Sequence, residues 1–416
     1  MNILMLGRWL PPPRRPVRGL REYQFARHLV RQHRLTLAFV ADNPDAAGAI
    51  SALRSEFGDL EFSSVPRGWK SLSSAVRLAT GESCTLSYFR SEALRTRLAE
   101  RMRRTRYDIV LVLSSTMIQY ALDTDPTIPV VVDFAGVGSE WWLQQAARGT
   151  FPGTRFFRTE AARLRAAETA AARRAARCIA ERAEAARIVE SFGATGPITV
   201  IENGVDVEMF GYGPRQGTTP TVLLSMSGAN EADLRDTGEF WRKVVPAVRA
   251  HVPSVRFVTV CREPLPSGRL NPGSAGVEVA GPGYDMRPLL HSRTVAAAPW
   301  RAESDLVPGV LEPMAAGVPV VVTSQVRSRL GGTEDPAVCI ADDPAQFASE
   351  LVRLLERDAD RKRAGQEARR FIEANYSWEV HAAHLGEVLS EVANRATKKP
   401  VAVASAPKRI AAALGG

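Results

Sequence analysis

The sequence predicts an α/β protein built from two doubly wound domains. Three observations favour this fold class: apolar runs of strand length, amphipathic runs of helix length between them, and a chain of 416 residues with 45% hydrophobic content. Strands that are buried on both faces read as continuous apolar runs, which is typical of parallel sheets covered by helices. At about 150 residues per domain, the length favours two to three domains, and two fit the pattern best.

Four apolar runs predict the main strands of a first domain over residues 1–205. They are NILMLG, HRLTLAFV, DIVLVL and PVVVDF, at residues 2–7, 33–40, 108–113 and 129–134. Ligands bind at the carboxyl ends of parallel strands. The residues that follow these runs are therefore candidates for a binding site.

The first strand leads into a proline-rich loop at residues 9–16, because proline continues neither an inner strand nor a helix. Gly19 then opens an amphipathic helix predicted over residues 20–32. A glycine at a helix start exposes backbone N–H groups, and the helix dipole favours anions there. Arg18 and Arg21 flank this glycine, and they either supply positive charge to a phosphate or lie in solvent.

An arginine-rich helix is predicted over residues 155–177. Its basic face is typical of either an exposed amphipathic helix or an element at a membrane surface. Because its apolar side is mostly alanine, Phe156, Phe157 and Leu164 would have to anchor it in a membrane.

A second domain is predicted over residues 221–375, after a linker at residues 206–220. Its predicted strands lie at residues 221–226, 255–261, 277–280, 294–299, 319–323 and 337–340. A helix over residues 376–395 and a basic, disordered tail over residues 396–416 complete the chain.

The run LEPMAAGVPVVVT, at residues 311–323, combines a carboxylate, a glycine and a strand. Glu312 lies on a short helix of small residues, Gly317 ends that helix, and a β-branched strand follows. The helix is entered from the strand that ends at Trp300, so Glu312 is expected at the carboxyl edge of the sheet. Its two oxygens suit a diol such as that of a ribose; the alternative is a carboxylate that only favours the helix dipole.

The chain carries a net charge of +9, which fits a solubilising surface, an anionic membrane or nucleic acid. No nucleic-acid-binding signature accompanies the charge, so we expect no nucleic-acid partner. The four cysteines are dispersed, without the spacing of a zinc site or a disulfide framework. No apolar run is long enough to span a membrane, and we expect a cytoplasmic protein, with peripheral contact at the inner membrane face left open.

Several stretches resemble retaining GT-B glycosyltransferases of family 4. LEPMAAGVPVVVT is similar to the family run LEAMAxGxPVV, VIENGVDVEMF to its domain junction, and YSWEVHAAHL to its C-terminal helix. Closer likeness, in YDIVLVLSSTMIQYAL, VVDFAGVGSEWW and VAAAPWRAESDLVPGVLEPMAAG, is to sugar transferases of exosortase-linked exopolysaccharide loci. The resemblance runs from Met1 to about residue 389.

This resemblance implies two Rossmann-like domains that face each other across a cleft, with residues 376–395 crossing back to the first. It implies transfer of a sugar from a nucleotide-diphosphate sugar to a lipid-linked or polysaccharide acceptor, without a metal or other cofactor. The leaving diphosphate would itself assist deprotonation of the acceptor, so the protein would position the substrates and stabilise charge.

The resemblance also implies roles for individual residues. Glu312 would hold the donor ribose, and Arg301 would bind the diphosphate bidentately. Gly19 and Gly228 would lie beside the donor phosphates, and the same phosphates would meet the backbone N–H groups of Val310 and Leu311, which are expected to be the first residues of the helix that carries Glu312. Tyr284 would stack on the base, and the carboxylates of Asp133 and Glu140 would bind acceptor hydroxyls. Tyr284 could instead pack structurally, and Trp142 could stack on a sugar or belong to the core.

The chain departs from the family pattern at Gly136, Gly138, the loop after Gly228 and Ser304, where the family or its subgroup has other residues. An alternative hypothesis is therefore a catalytically silent GT-B-like subunit that binds a partner or a membrane. A sugar-nucleotide epimerase is a weaker third reading, because it needs carboxylates and a histidine in the cleft.

Overall fold

The computed structural model describes most of the chain, at residues 1–8, 20–41, 46–64, 81–148, 153–211, 217–226, 231–265, 270, 272–290, 293–301, 306–331 and 337–398. It divides into two compact units. Unit 1 comprises Met1–Ile201 and His384–Gly416, and unit 2 comprises Glu202–Ala383. The proline-rich loop, Arg18, Gly19, Gly228, Ser304 and the end of the predicted tail lie outside the described residues.

Unit 1 contains a parallel sheet in which the described strands follow the order β3-β2-β1-β4-β5-β6-β7. The strands are β1 Asn2–Gly7, β2 Arg34–Ala41, β3 Asp59–Ser64, β4 Ile109–Leu113, β5 Val130–Phe134, β6 Arg177–Ala180 and β7 Ile198–Val200. The strand order reverses between β1 and β4, which pair in parallel from Ile3↔Ile109 to Leu6↔Val112. Such a reversal leaves a crevice at the carboxyl ends of the strands.

The described helices of unit 1 connect these strands. They are α1 Leu20–Leu29, α2 Ala46–Phe57, α3 Cys84–Tyr88, α4 Glu92–Arg104, α5 Ile118–Leu122, α6 Gly138–Arg148, α7 Gly153–Arg174 and α8 Ala183–Ser191. The predicted arginine-rich helix is α7. Leu164, which membrane anchoring would need, is fully buried in the protein, and Phe156 and Phe157 pack against Trp142. These three side chains are thus used for packing within unit 1.

Unit 2 contains a second parallel sheet, whose described strands follow the order β10-β9-β8-β11-β12-β13. The strands are β8 Pro220–Met226, β9 Arg256–Cys261, β10 Glu278–Ala280, β11 Arg293–Ala298, β12 Val320–Val322 and β13 Cys339–Ile340. Successive residues of β8 pack into different apolar clusters: Val222 and Leu224 in one, Leu223 in another. Apolar side chains on both faces of a strand explain its continuous apolar run.

The described helices of unit 2 are α9 Glu231–His251, α10 Pro272–Ala275, α11 Arg287–Leu290, a π-helix Val307–Leu311, α12 Glu312–Ala315, α13 Ser324–Ser328, α14 Pro344–Glu356 and α15 Asp358–Asn375. A final helix, α16 Trp378–Lys398, begins in unit 2 and belongs to unit 1 from His384 onward. Gly317 has a φ of 70°, so the predicted glycine stop after α12 is confirmed.

Two of the stretches quoted for their resemblance pair with each other within unit 2. The N–H of Val205 donates to the carbonyl of Tyr376 at 2.8 Å, and Val205 and Ser377 form an isolated parallel bridge. A Cβ at Gly204 would lie 2.9 Å from the Trp378 ring. A glycine is needed at this position because the tryptophan packs directly on the backbone.

None of the helices in the described part of the chain is both long and apolar enough to cross a membrane.

Candidate functional site

Glu312 lies where the carboxyl ends of the unit 2 strands meet. It opens α12, directly after the π-helix, and the residue is only 4% exposed. The side chain of Arg262 reaches it, and one guanidinium nitrogen, Nη2, donates to both carboxylate oxygens. The predicted carboxylate is therefore present at the expected edge, with an arginine on its solvent side.

Arg262 is a site residue that the sequence reasoning missed. It follows the last residue of β9, and its backbone N–H donates to the carbonyl of Met226 at the end of β8, at 3.0 Å. Its side chain is 41% exposed, whereas that of Glu312 is 6% exposed. Its position in the sequence could have identified it, because a charged residue directly after a buried strand lies at the ligand-binding edge of a parallel sheet.

Arg301 does not contact Glu312 through any hydrogen bond of the described residues. Its Nη1 instead donates to Glu239 Oε2 at 3.0 Å and lies 3.8 Å from Asp236 Oδ1. Its backbone N–H donates to Asp236 Oδ2 at 2.8 Å. The guanidinium is half-exposed, so it remains accessible to an anion that competes with Glu239.

The helical run that leads to Glu312 starts earlier than the sequence predicted. We expected its first residues near Val310 and Leu311, but the π-helix begins at Val307 and these two residues complete it, both buried. Pro308 explains the earlier start, since proline favours the first turn of a helix. The prediction of a helix start at Val310 is therefore wrong, and a phosphate contact by these backbone groups stays untested.

Tyr284 is 44% exposed, in the turn between β10 and α11. More than half of its surface is covered by the protein, so the alternative in which Tyr284 packs structurally stays open. A solvent-facing ring is available to stack on a base, and that role stays a prediction.

In unit 1, Arg21 and Asp133 form a buried ion pair. Arg21 Nε donates to Asp133 Oδ2 at 2.8 Å, and Arg21 Nη2 donates to the carbonyl of Ile201 at 2.9 Å. Their side chains are 6% and 0% exposed, so the alternative that Arg21 lies in solvent is wrong. Burial raises the pKa of Asp133, while the adjacent Arg21 opposes the shift. The pair ties α1 to the end of β5, and its predicted substrate contacts stay untested.

Glu140 lies in the first turn of α6 and is half-buried. A different carboxylate, Glu168 of α7, lies under the strand ends. Its Oε1 accepts hydrogen bonds from the Ser115 hydroxyl and from the Ser139 N–H. Glu168 is fully buried and its Oε2 has no hydrogen-bond partner. Burial raises the pKa of Glu168, and the bonds from Ser115 and Ser139 only partly offset this.

Gly138 is required by the same packing. A Cβ there would lie 2.8 Å from Leu164 Cδ2 and 3.3 Å from Glu168 Oε1. Gly136 differs, because a Cβ at that position would meet open space. Of the two glycines that depart from the family pattern, one is thus fixed by close packing and the other lies free at the surface.

A cavity of about 700 Å³ opens beside Gly136, at the carboxyl ends of β1, β4 and β5. Its described lining residues include Arg8, Ser114, Thr116 and the aromatic side chains of Tyr88, Phe89, Trp141 and Trp142. Trp142 is half-buried, and its indole N–H donates to Thr85 Oγ1 at 2.9 Å. It packs against Phe156 and Phe157 while it also lines the cavity, so it serves both as a packing and as a lining residue.

Among the described residues, no group of three histidine, cysteine, aspartate or glutamate side chains could hold a metal ion.

Unit 2 contains a segment that is similar to a known protein family. Residues 223–357 match the model described as Glycosyl transferases group 1. The second unit matches a glycosyltransferase family. The matched segment includes Arg262, Tyr284, Arg301 and Glu312. No curated protein sequence matches the chain.

Several solved structures share the fold over nearly the whole chain. Sucrose-phosphate synthase from Thermosynechococcus elongatus has a TM-score of 0.56 at 13% identity, over 95% of this chain and 99% of that one. Anabaena HepE in complex with UDP has a TM-score of 0.57 at 14% identity, over 94% of this chain and 100% of that one. A trehalose-6-phosphate protein from E. coli bound with UDP-2-fluoro glucose has a TM-score of 0.57 at 10% identity, over 94% of this chain and 99% of that one. At such identities the likeness shows the fold, two Rossmann-like units of the GT-B type, which confirms the predicted fold class.

Proposed function

We propose that this protein is a glycosyltransferase that takes its sugar from a nucleotide-diphosphate sugar. The observation that carries the proposal is that the segment matching the glycosyltransferase group 1 model contains a buried glutamate at the carboxyl edge of its parallel sheet. Ligands bind at this edge in open α/β sheets. Three of the structures with the same fold contain UDP, UDP-glucose or UDP-2-fluoro glucose, which supports a donor of this class.

In this proposal, Glu312 accepts hydrogen bonds from the two ribose hydroxyls of the donor. A carboxylate binds two adjacent hydroxyls well because each oxygen accepts a charge-assisted bond. Arg262 occupies both oxygens, so the ribose must displace its guanidinium or share the carboxylate with it. A displaced guanidinium would be an unpaired cation at the same edge of the sheet, which makes Arg262 a candidate to bind the diphosphate of the donor.

Two arginines are candidates to stabilise the leaving diphosphate. Arg301 and Arg262 both follow strands of the unit 2 sheet, and both side chains are about half-exposed. Positive charge at this place would act where negative charge develops during transfer. We further propose that transfer retains the anomeric configuration, as the resemblance to family 4 implies. The same resemblance supports a reaction without a metal or other cofactor, in exopolysaccharide synthesis.

The acceptor in this proposal is lipid-linked or a polysaccharide. The net charge of +9 supports peripheral contact with anionic lipid at the inner face of the cytoplasmic membrane.

A second candidate function is a catalytically silent subunit with the same fold. The ion pairs within the site favour this function, because Arg262 is paired with Glu312 and Arg301 is paired with Glu239. A site whose cations are already paired can hold its structure without a ligand.

One titration distinguishes the two candidates. Purified protein is titrated by calorimetry with UDP, GDP and their common sugar conjugates, beside Glu312→Gln. The transferase proposal expects saturable binding of one nucleotide class that weakens in the variant, and slow release of free sugar from the bound donor. Absence of binding to every member of the panel, with the protein folded, would favour the silent subunit.

A further inference from the structure

Arg301 is held by two carboxylates of one helix, α9. Asp236 Oδ2 accepts the backbone N–H of Arg301 at 2.8 Å, and Glu239 Oε2 accepts a hydrogen bond from its Nη1 at 3.0 Å. The two carboxylates are three positions apart in the sequence, so they lie on the same face of α9. The main chain and the guanidinium of Arg301 therefore have separate partners on this helix.

Asp236 fixes the main chain of Arg301. Its side chain is 2% exposed, and the hydrogen bond from a backbone N–H to a carboxylate is strong because it is charge-assisted. The other carboxylate oxygen, Oδ1, has no hydrogen-bond partner and lies 3.8 Å from both Arg301 Nη1 and Arg235 Nε. Asp236 thus keeps the backbone of Arg301 at the carboxyl edge of the sheet, while the guanidinium makes no hydrogen bond to it.

Glu239 is the partner that can release the guanidinium. Its side chain is 25% exposed and that of Arg301 is 44% exposed, and an ion pair so open to solvent is weak. Glu239 also has a second cation, because its Oε1 accepts a hydrogen bond from Lys243 Nζ at 2.8 Å. The hydrogen bonds from Lys243 and Arg301 lower the pKa of Glu239, so the carboxylate is ionised near neutral pH. It keeps one cationic partner when Arg301 leaves, which lowers the cost of separation.

A diphosphate would compete with Glu239 for the guanidinium of Arg301. Phosphate oxygens can accept two parallel hydrogen bonds from an arginine, whereas Glu239 accepts one from Arg301. A ligand without phosphate gives the guanidinium no new partner and leaves the ion pair intact. The pair is therefore expected to oppose the binding of anions at Arg301 and to leave the binding of neutral ligands unaffected.

We propose that Glu239 is an internal competitor for the donor, and that donor binding exchanges the Arg301–Glu239 ion pair for one between Arg301 and the diphosphate. The inference rests on the proposed function and describes how that site is regulated. Without a donor, Glu239 neutralises Arg301 and so disfavours small anions that have no other contacts. After transfer, the return of Arg301 to Glu239 favours release of the nucleoside diphosphate. Asp236 holds the main chain in place throughout this exchange.

Calorimetric titrations with UDP and GDP test the exchange, with uridine and guanosine as ligands that lack phosphate. Glu239→Gln should bind the diphosphate about two- to fivefold more tightly than the unchanged protein, because an exposed ion pair opposes binding by no more than this factor. Its affinity for the nucleosides should stay the same. Glu350→Gln is the matched control, since Glu350 pairs with Arg353 at similar exposure, and it should change neither affinity.

Lys243→Gln is expected to act in the opposite direction. Without the lysine, Arg301 is the remaining partner of Glu239 among the described residues, so the diphosphate should bind about two- to fivefold more weakly. In a double variant with Glu239→Gln, the lysine substitution should have no effect. A lysine that acted on the diphosphate directly would lower the affinity in both backgrounds, which would contradict the exchange.

Arg301→Gln separates the exchange from simple repulsion between Glu239 and the ligand. If Glu239 acts through Arg301, the gain in Glu239→Gln disappears when Arg301 is also replaced, whereas relief of repulsion would persist. A persistent gain, or a Glu239→Gln protein that binds the diphosphate no more tightly than before, would overturn the proposal and leave the proposed function in place. Absence of binding of both UDP and GDP in every variant would overturn the proposed function, and the exchange with it.

Discussion

Replacing Glu312 with glutamine is the most direct perturbation of the proposed donor site. The substitution keeps the shape of the side chain and removes its charge. A hydrogen bond to a charged group contributes about 1.5–3 kcal/mol, so loss of the charge should weaken nucleotide-sugar binding by roughly 10- to 150-fold. Glu312 is only 4% exposed, and burying a neutral amide costs less free energy than burying a carboxylate, so we expect the fold to stay intact.

The ion pair with Arg262 sets the expected stability change. The Arg262 side chain is 41% exposed, so water can solvate its guanidinium once the carboxylate is gone. Pairs that are open to solvent contribute at most about 1 kcal/mol, and the melting temperature of Glu312→Gln should therefore change little. Donor affinity and stability are thus expected to separate in this variant.

The assay is a calorimetric titration of the donor together with a thermal melt, on Glu312→Gln, Arg262→Ala and the double variant. Because the two side chains are in direct contact, we expect their effects on donor affinity to be non-additive, with a coupling of about 0.5–3 kcal/mol. Glu350→Gln is the matched control, since Glu350 also pairs with an arginine, Arg353, within unit 2. A Glu312→Gln protein that melts normally and binds the donor as tightly as before would refute the proposed role.

Three further predictions concern the packing beneath the sites. Arg21→Ala should destabilise unit 1 by about 3–5 kcal/mol in chemical denaturation, because it leaves Asp133 as an unpaired buried charge, and a loss under 1 kcal/mol would contradict the pairing. The pKa of Glu168 is raised in the folded protein, so the folded state keeps a proton that the unfolded chain releases, and the unchanged protein loses stability as pH rises. Glu168→Gln lacks this titration and should therefore gain stability relative to the unchanged protein as pH rises. A constant difference between the melting temperatures of the two proteins from pH 4 to 8 would argue against this. Gly309→Ala should cost about 1–3 kcal/mol or more, because its Cβ would lie 2.2 Å from the Trp300 ring, and an unchanged melting temperature would exclude that contact.

The strands and most helices could be predicted from local sequence. Continuous apolar runs such as DIVLVL and PVVVDF became β4 and β5, shorter than predicted by about one residue at their N-terminal ends. The prediction over residues 311–323 was confirmed in its helix, its glycine stop and its strand. In each case the deciding pattern lies within a few residues of the element that it determines.

The contacts of the site residues could not be predicted in the same way. Arg262 and Glu312 are 50 positions apart, and Arg21 and Asp133 are 112 positions apart. A flanking sequence shows that a residue is charged, but not which distant group will neutralise it. For this reason Arg21 was expected either at a phosphate or in solvent, and Arg262 was overlooked.

The sequence by itself determined the fold class and the placement of Glu312, because apolar periodicity and helix ends are local properties of the chain. Only the tertiary structure decided which charges pair, why Gly138 admits no side chain, and how Trp141 and Trp142 come to line one cavity with Arg8. These features depend on which strand ends become neighbours. In unit 1 the reversal of strand order brings β1 beside β4, and a cavity forms there from segments that are more than 100 residues apart in the chain.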